Sequence, residues 1–170
     1  DFAGAVKAYD ESIKLQGSDA MSYNNRGKAK FNLQDYKGSI PDFSKALELK
    51  PDYDKALENR ADAYYKNQEW KNAAADFEKL VAKGRAENEL LQRLGTAYFT
   101  LNDYKNTSTT LEKLVQKAVR DKDVFKMLGL SYATTGDCTQ APKHLSSSIQ
   151  MGITEKEVFF ELGSCQYKNK

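Results

Sequence analysis

The chain has 170 residues, of which 40% are hydrophobic and 29% are charged, and 26 basic against 24 acidic side chains give a net charge of +2. A balanced charge of this kind argues against a nucleic-acid or polyanion binder, which concentrates basic residues. No apolar run approaches the roughly 20 residues of a membrane span, and no basic-then-apolar secretory signal opens the chain, so we expect a soluble protein and assign it no compartment.

The predicted elements are helices joined by short turns. In chain order they are a single helix over residues 2–15, four helix hairpins over residues 20–51, 54–84, 88–118 and 122–152, and a final helix from residue 156. In the first hairpin, Tyr23, Gly27 and Phe31 share one helix face, Asp35 interrupts the periodicity, and Phe43 resumes it. Helices of about 13 residues are marginal alone in water, so neighbouring helices are expected to stabilise one another.

The hydrophobic pattern recurs with a constant period of about 34 residues, without insertion or deletion. Small residues recur at this spacing at Gly27, Ala61, Gly95, Gly129 and Gly163. An acidic residue opens each second helix, at Asp1, Asp35, Glu69, Asp103 and Asp137. An acid at that position suits the positive end of a helix, where it caps unpaired amides. Positions 34 residues apart thus form columns of similar residues across five copies. This agreement indicates an array of repeated helix hairpins.

These columns resemble the tetratricopeptide repeat, whose pattern is Trp-x2-Leu-Gly-x2-Tyr, then Ala-x3-Phe, then Pro. The stretch Tyr23–Gly27 followed by Asp35 and Tyr36 is the most typical copy, and the closing proline survives as Pro51. The resemblance covers the whole chain and implies an all-α fold: a right-handed α-solenoid of antiparallel helix hairpins, about ten helices with a 34-residue period. It divides residues 1–170 into one array: the second helix of an incomplete repeat at 1–19, repeats at 20–53, 54–87, 88–121 and 122–155, and the first helix of an incomplete repeat at 156–170.

Both end helices carry ordinary repeat residues. These are Phe2, Val6, Tyr9 and Ile13 at one end, and Phe159, Phe160, Leu162 and Tyr167 at the other. Repeat domains normally end in polar capping helices. We therefore interpret the chain as a fragment of a longer array and expect its end helices to pack against something, with end-to-end self-association as a candidate.

One histidine, His144, offers the only imaginable nucleophile pair, with Ser147 and Ser148. Catalysis would also need an orienting acid and an oxyanion site. The column that contains His144 holds Ala8, Asp42, Asp76 and Thr110 in the other copies. Such a set is typical of solvent-exposed positions, so His144 is predicted to lie on the surface.

Two cysteines, Cys138 and Cys165, are too few for a zinc site or a disulfide framework. Because Cys165 falls in a column of small residues, it is predicted to be a buried packing residue. The glycines fall singly rather than in a phosphate-binding loop. The sequence therefore predicts no enzyme activity, no cofactor and no metal.

The resemblance implies a concave groove, lined by the first helix of each hairpin, that holds a peptide or helix of a partner protein. Transferred residue by residue, it predicts contacts at Asn24, Asn25, Lys28, Phe31, Asn59, Asp62, Tyr65, Arg93, Thr96, Phe99, Met127 and Leu130. Phe31, Tyr65 and Phe99 recur at the repeat spacing and form either helix packing or an aromatic contact ladder. The amide and basic groups suit a peptide backbone and a carboxylate, whereas Met127 and Leu130 suit an amphipathic helix.

The leading hypothesis is thus a protein-interaction scaffold that binds a partner protein or peptide, with no nucleic acid and no membrane insertion. Family members that co-operate with heat-shock chaperones clamp a C-terminal carboxylate. Asn59 and Arg93 match that clamp, but Asn24 and Lys28 stand in reverse order and Glu89 replaces a lysine. The alternatives are a structural or self-assembling solenoid segment and a substrate-recognition segment of a larger enzyme.

Overall fold

The computed structural model describes residues 1–16 and 19–169, and these form ten α-helices and no strand. The helices are α1 (Phe2–Gln16), α2 (Ala20–Asn32), α3 (Tyr36–Leu49), α4 (Asp54–Lys66), α5 (Trp70–Ala82), α6 (Asn88–Thr100), α7 (Tyr104–Gln116), α8 (Lys122–Thr134), α9 (Ala141–Gln150) and α10 (Lys156–Lys168). The predicted all-α fold is confirmed. Gly17, Ser18 and Lys170, which the prediction assigned to the incomplete repeats, lie outside the described residues.

The chain forms two compact units, Asp1–Arg85 and Ala86–Lys170. In the first unit, successive helices from α1 to α5 pack against each other, and α2 also contacts α4. In the second unit, successive helices from α6 to α10 pack in the same way, and α8 also contacts α6 and α10. The division into individual repeats stays a prediction.

A shared turn joins the two helices of each hairpin. After α2, Gln34 has a left-handed backbone with φ of 64°. Its amide donates to the carbonyl of Phe31 (2.9 Å), and the amide of Asp35 donates to the carbonyl of Lys30 (3.0 Å). These two bonds satisfy carbonyls that the end of α2 leaves unpaired. The corresponding left-handed residues in later hairpins are Gln68, Asn102 and Gly136.

The helices of a hairpin cross closely at the column of small residues. A Cβ added to Gly27 would lie 2.8 Å from a ring carbon of Phe43. One added to Gly129 would lie 2.5 Å from the side chain of Leu145 and 2.9 Å from its backbone nitrogen. Gly163 on α10 differs, because nothing lies within 4 Å of its added Cβ. Among the described residues, no neighbouring helix therefore packs against α10 at Gly163.

Two buried ion pairs cross the hairpins of the first unit. Asp42 and Asp76 are each only 3% exposed. Nε of Arg26 lies 3.0 Å from Oδ2 of Asp42, and Nε of Arg60 lies 2.7 Å from Oδ2 of Asp76. Hydrogen bonding to Asp42 raises the pKa of Arg26 above its ordinary value, so the guanidinium stays charged. The interpretation of this column as solvent-exposed is therefore wrong at Asp42 and Asp76. Each of the two arginines, on the preceding helix, supplies the counter-charge that allows its aspartate to be buried.

His144 is buried as well, at 7% exposure, so its predicted surface position is wrong. Its ring stacks with those of Phe125 and Tyr132, with centroid distances of 5.8 and 5.6 Å. Nε2 of His144 lies 3.1 Å from Oε1 of Glu112 on α7, and the hydroxyl of Tyr132 donates to the same oxygen (3.1 Å). Burial lowers the pKa of His144 although Glu112 opposes the shift, and burial raises the pKa of Tyr132 to about 12. The cluster joins α7, α8 and α9 inside the second unit.

A disulfide joins Cys138 and Cys165, whose Cα atoms are 4.8 Å apart. Cys165 is buried, as predicted, whereas its pairing with Cys138 was not predicted. The repeat contains a signal for the pairing. Cys138 replaces the aromatic residue that opens the other second helices, and Cys165, 27 positions later, replaces a small residue. Both columns change together, which indicates that the two cysteines contact each other.

Candidate functional site

Two adjacent pockets lie along α2 in the first unit. The first has a volume of about 180 Å³ and is lined by Lys28, Phe31, Asn32, Phe43, Lys55, Asn59 and Asp62. The second has a volume of about 260 Å³ and is lined by Phe2, Ala5, Tyr9, Asn25, Lys28, Ala29 and Asn32. Lys28 and Asn32 belong to both pockets. The two pockets therefore form one surface on α1, α2, α3 and α4, which we call the α2 groove.

The structure brings Lys28, Phe31, Asn59 and Asp62 together around the first pocket, and it places Asn25 in the second. Helix geometry explains the first set, because Lys28 and Phe31 are three residues apart on one face of α2. Asp62 occupies in α4 the position that Lys28 occupies in α2, one repeat earlier. Contact between α2 and α4 then brings equivalent faces of the two helices to the same pocket.

Asn24 is a supporting residue of this surface, since it is only 3% exposed. Its Oδ1 accepts a hydrogen bond of 2.8 Å from Nδ2 of Asn59, and its own Nδ2 donates to Oδ1 of Asn25 (3.3 Å). These bonds orient the amides of Asn25 and Asn59. The amide of Asn24 is therefore already bonded inside the unit, and its contact with a partner stays a prediction.

Electrostatically, the α2 groove combines two lysines with one aspartate. Lys28 is exposed, and Nζ of Lys55 lies 3.0 Å from Oε2 of Glu58. Although burial opposes the shift, hydrogen bonds from Arg85 and Lys55 lower the pKa of Glu58, so this carboxylate stays ionised. The exposed ammonium of Lys28 is thus the charge of the groove that is best placed to meet an acidic group.

The three predicted ladder residues each pack inside their own hairpin. Phe31, Tyr65 and Phe99 contact the aromatic residue that opens the following helix, with centroid distances of 5.0 Å to Tyr36, 5.2 Å to Trp70 and 5.7 Å to Tyr104. All three contacts are edge-to-face, a favourable aromatic arrangement. Each ring stays partly exposed, so helix packing is established and a contact ladder stays a prediction.

In the second unit, Met127 and Leu130 are buried rather than exposed in a groove. The reason is that α8 packs against α6, α7, α9 and α10, so its apolar side chains are covered. Arg93 forms an ion pair with Glu89 on its own helix. The hydroxyl of Thr96 donates to the carbonyl of Gln92 (2.8 Å). Met127 and Leu130 therefore pack in the core of this unit, and their contact with a partner stays a prediction.

Within residues 1–16 and 19–169, no group of three or more His, Cys, Asp or Glu side chains is arranged to hold a metal ion. None of the helices described in these ranges is long and apolar enough to cross a membrane.

Two family models described as tetratricopeptide repeat match residues 20–53 and 58–106. Among solved structures, YrrB, described as a TPR protein with an unusual peptide-binding site, has a TM-score of 0.76 and 22% identity over 96% of this chain and 85% of that chain. MamA AMB-1 has a TM-score of 0.80 and 16% identity over 90% of this chain and 85% of that chain. MamA from Desulfovibrio magneticus RS-1 (41-end) has a TM-score of 0.73 and 22% identity over 88% and 84%. A comparison with curated proteins finds no similar chain.

At these identities the solved structures show the fold alone, and that fold is the predicted solenoid of helix hairpins. The two sequence matches indicate no catalytic family. Together with the 34-residue columns and the shared hairpin turn, they assign the sequence: the chain belongs to the tetratricopeptide-repeat family.

Proposed function

We propose that the α2 groove binds an extended segment of a partner protein, and that the chain works as a scaffold rather than as an enzyme. The observation that carries this proposal is the convergence of Lys28, Phe31, Asn59 and Asp62 on one pocket. Protein-protein recognition is the general role of this family, and a peptide-binding site is described for YrrB. Both facts support the choice of a protein segment as ligand.

The chemistry of the groove suits a peptide main chain. A side-chain amide both donates and accepts, so Asn25, Asn32 and Asn59 can bond backbone carbonyl and amide groups of an extended segment. The first pocket, at about 180 Å³, is smaller than the roughly 300 Å³ and more of small-molecule sites. It therefore fits one peptide side chain against Phe31, with an acidic neighbour directed at Lys28.

A displayed library of random peptides tests the proposal. Selection on the wild-type chain is expected to yield segments that share an acidic residue, and Lys28→Glu is expected to weaken their binding by about ten-fold or more, because a charge-assisted bond becomes a repulsion. Asn59→Ala should weaken the same peptides. Lys37→Glu, an exposed residue of α3, is the matched control and should leave binding unchanged. If the selected peptides bind Lys28→Glu and Lys37→Glu equally well, the α2 groove is not their binding site.

A second candidate, self-assembly, is favoured by the open face of α10. Phe160 and Tyr167 are 71% and 81% exposed, and the position of Gly163 is uncovered. Tyr167 stands in the column of Phe31, and Phe2 on α1 stands in the column of Tyr36. Packing of α10 of one copy against α1 of another would thus repeat the contact between Phe31 and Tyr36.

Sedimentation velocity over a range of concentrations tests self-assembly. The wild-type mass is expected to rise with concentration, whereas Tyr167→Glu should remain monomeric because a carboxylate cannot be buried against Phe2. Lys156→Glu, at the exposed start of α10, is the control for added negative charge. A constant monomer mass for the wild type would exclude this candidate.

A further inference from the structure

The disulfide connects two elements of the second unit that differ in how firmly they are packed. Cys138 lies in the turn between α8 and α9, and Cys165 lies on α10. Both belong to the buried core cluster of this unit, together with Leu130, Ala133, Ala141, Leu145, Ile153 and Val158. The side-chain amide of Asn169 also donates to the carbonyl of Cys138 (2.6 Å). Two links therefore join the α10 segment to the same turn.

Packing holds α10 much less than it holds the neighbouring α8. Of the 13 residues of α10, Val158 and Cys165 are buried, whereas seven of the 13 residues of α8 are buried. Partly buried Leu162 adds a smaller contact with the core cluster. A helix of about this length is marginal without tertiary packing. Since one of the two buried residues is Cys165 itself, the covalent bond supplies a large part of the attachment of α10.

The repeat columns indicate what the disulfide replaces. Tyr36, Trp70 and Tyr104 open the second helices of the first three hairpins, and Cys138 stands in the same column. The residues 27 positions later are Ala63, Ala97, Ser131 and Cys165. A cysteine buries far less apolar surface than an aromatic side chain. Between the fourth hairpin and α10, a covalent bond thus joins two positions that hold an aromatic residue and a small residue in the earlier repeats.

We infer that the Cys138–Cys165 bond holds α10 on the second unit, so that the chain presents an ordered α10 only in oxidising surroundings. Disulfides persist in secreted, periplasmic and cell-surface proteins and are kept reduced in the cytosol. A dithiol reductant transfers two electrons and two protons to the bond, giving thiols at Cys138 and Cys165 and a cyclic disulfide of the reductant. Phe160 and Tyr167 then lose their fixed positions. The inference is independent of the α2 groove, which lies entirely in the first unit.

Amide hydrogen exchange read by mass spectrometry tests this inference on the full chain. Three samples are compared: the oxidised chain, the chain after dithiothreitol with both thiols counted by alkylation, and the variant Cys138→Ser with Cys165→Ser. In the last two samples, the amides of α10 are expected to exchange about ten-fold faster or more, because the bond no longer restricts local opening. The amides of α8 and of the first unit should keep their rates.

Unchanged protection of α10 after alkylation has counted two thiols would overturn the inference, and so would unchanged protection in the double serine variant. Equal loss of protection in α8 and α10 would also overturn it, because the bond would then support the whole second unit. A chain refolded with glutathione disulfide that keeps two free thiols would show that the bond does not form.

Discussion

Replacement of Asp76 by alanine is expected to lower the free energy of unfolding of the first unit by about 3 kcal/mol or more. Arg60 would lose the carboxylate that accepts from its Nε (2.7 Å) and Nη2 (3.0 Å). Its remaining contacts are the hydroxyl of Ser44, 3.2 Å from Nη1, and the ring of Tyr64, whose centroid lies 5.9 Å from Cζ. The guanidinium would then be mostly buried without a counter-charge. Trp70, the one tryptophan, opens the same helix as Asp76, so its fluorescence during urea unfolding reports this unit.

The control removes both charges together. Arg60→Leu with Asp76→Thr installs the pair that the third hairpin carries naturally as Leu94 and Thr110. This double variant is expected to recover stability to within about 1 kcal/mol of the wild type, since an apolar replacement of a buried ion pair is often close to neutral. A loss below about 1 kcal/mol for Asp76→Ala alone would contradict the prediction. It would show that the guanidinium of Arg60 becomes hydrated with little loss of free energy of unfolding.

Replacement of Gly129 by alanine is expected to destabilise the second unit by about 1–3 kcal/mol, although alanine is the better helix former. The new Cβ would lie 2.9 Å from the backbone nitrogen of Leu145, so rotation of the Leu145 side chain cannot relieve the clash. α9 would have to move away from α8. Urea unfolding followed by circular dichroism measures the loss, and faster amide exchange in α8 and α9 locates it.

Gly163→Ala is the matched control for this effect, because it makes the same change in the same repeat column. No atom lies within 4 Å of the added Cβ, so only helix propensity acts, and stability should rise by up to about 1 kcal/mol. At low protein concentration, Gly129→Ala is therefore expected to lower the free energy of unfolding and Gly163→Ala to raise it. Destabilisation by Gly163→Ala would show that α10 has a close neighbour at this position.

The sequence predicts much of the fold because the signals for a helix hairpin are local. The 34-residue columns identify the helices, and Asp35 caps α3 through a hydrogen bond from the amide of Gly38 (2.9 Å), as expected. The same columns bring Lys28 and Asn59 to one pocket, since equivalent faces of neighbouring hairpins lie side by side. The helices follow from periodicity and the cap from the acidic side chain at the start of α3, whereas the groove positions of Lys28 and Asn59 were implied by the resemblance to the tetratricopeptide repeat.

Burial is harder to predict, because it depends on pairs of residues and on how many helices surround each one. Asp76 resembles an exposed residue when its column is considered without Arg60. The surface prediction for His144 is wrong for the same reason, since its partner Glu112 lies on a different hairpin. The repeat position of Met127 predicts a groove residue, but the several neighbours of α8 cover it. A search for columns that change together would find the ion pairs and the disulfide.

The ion pairs also decide which helices can be exchanged when repeats are shuffled or duplicated. α2 and α4 carry Arg26 and Arg60 at the position where α6 and α8 carry Leu94 and Leu128. A graft of α4 in place of α8 would set a guanidinium opposite His144 instead of an aspartate, at the cost of an unpaired buried charge. Equal length therefore does not make the hairpins interchangeable. Each helix that carries a buried arginine needs a following helix that carries the paired aspartate, and this requirement restricts the order in which the repeats can be recombined.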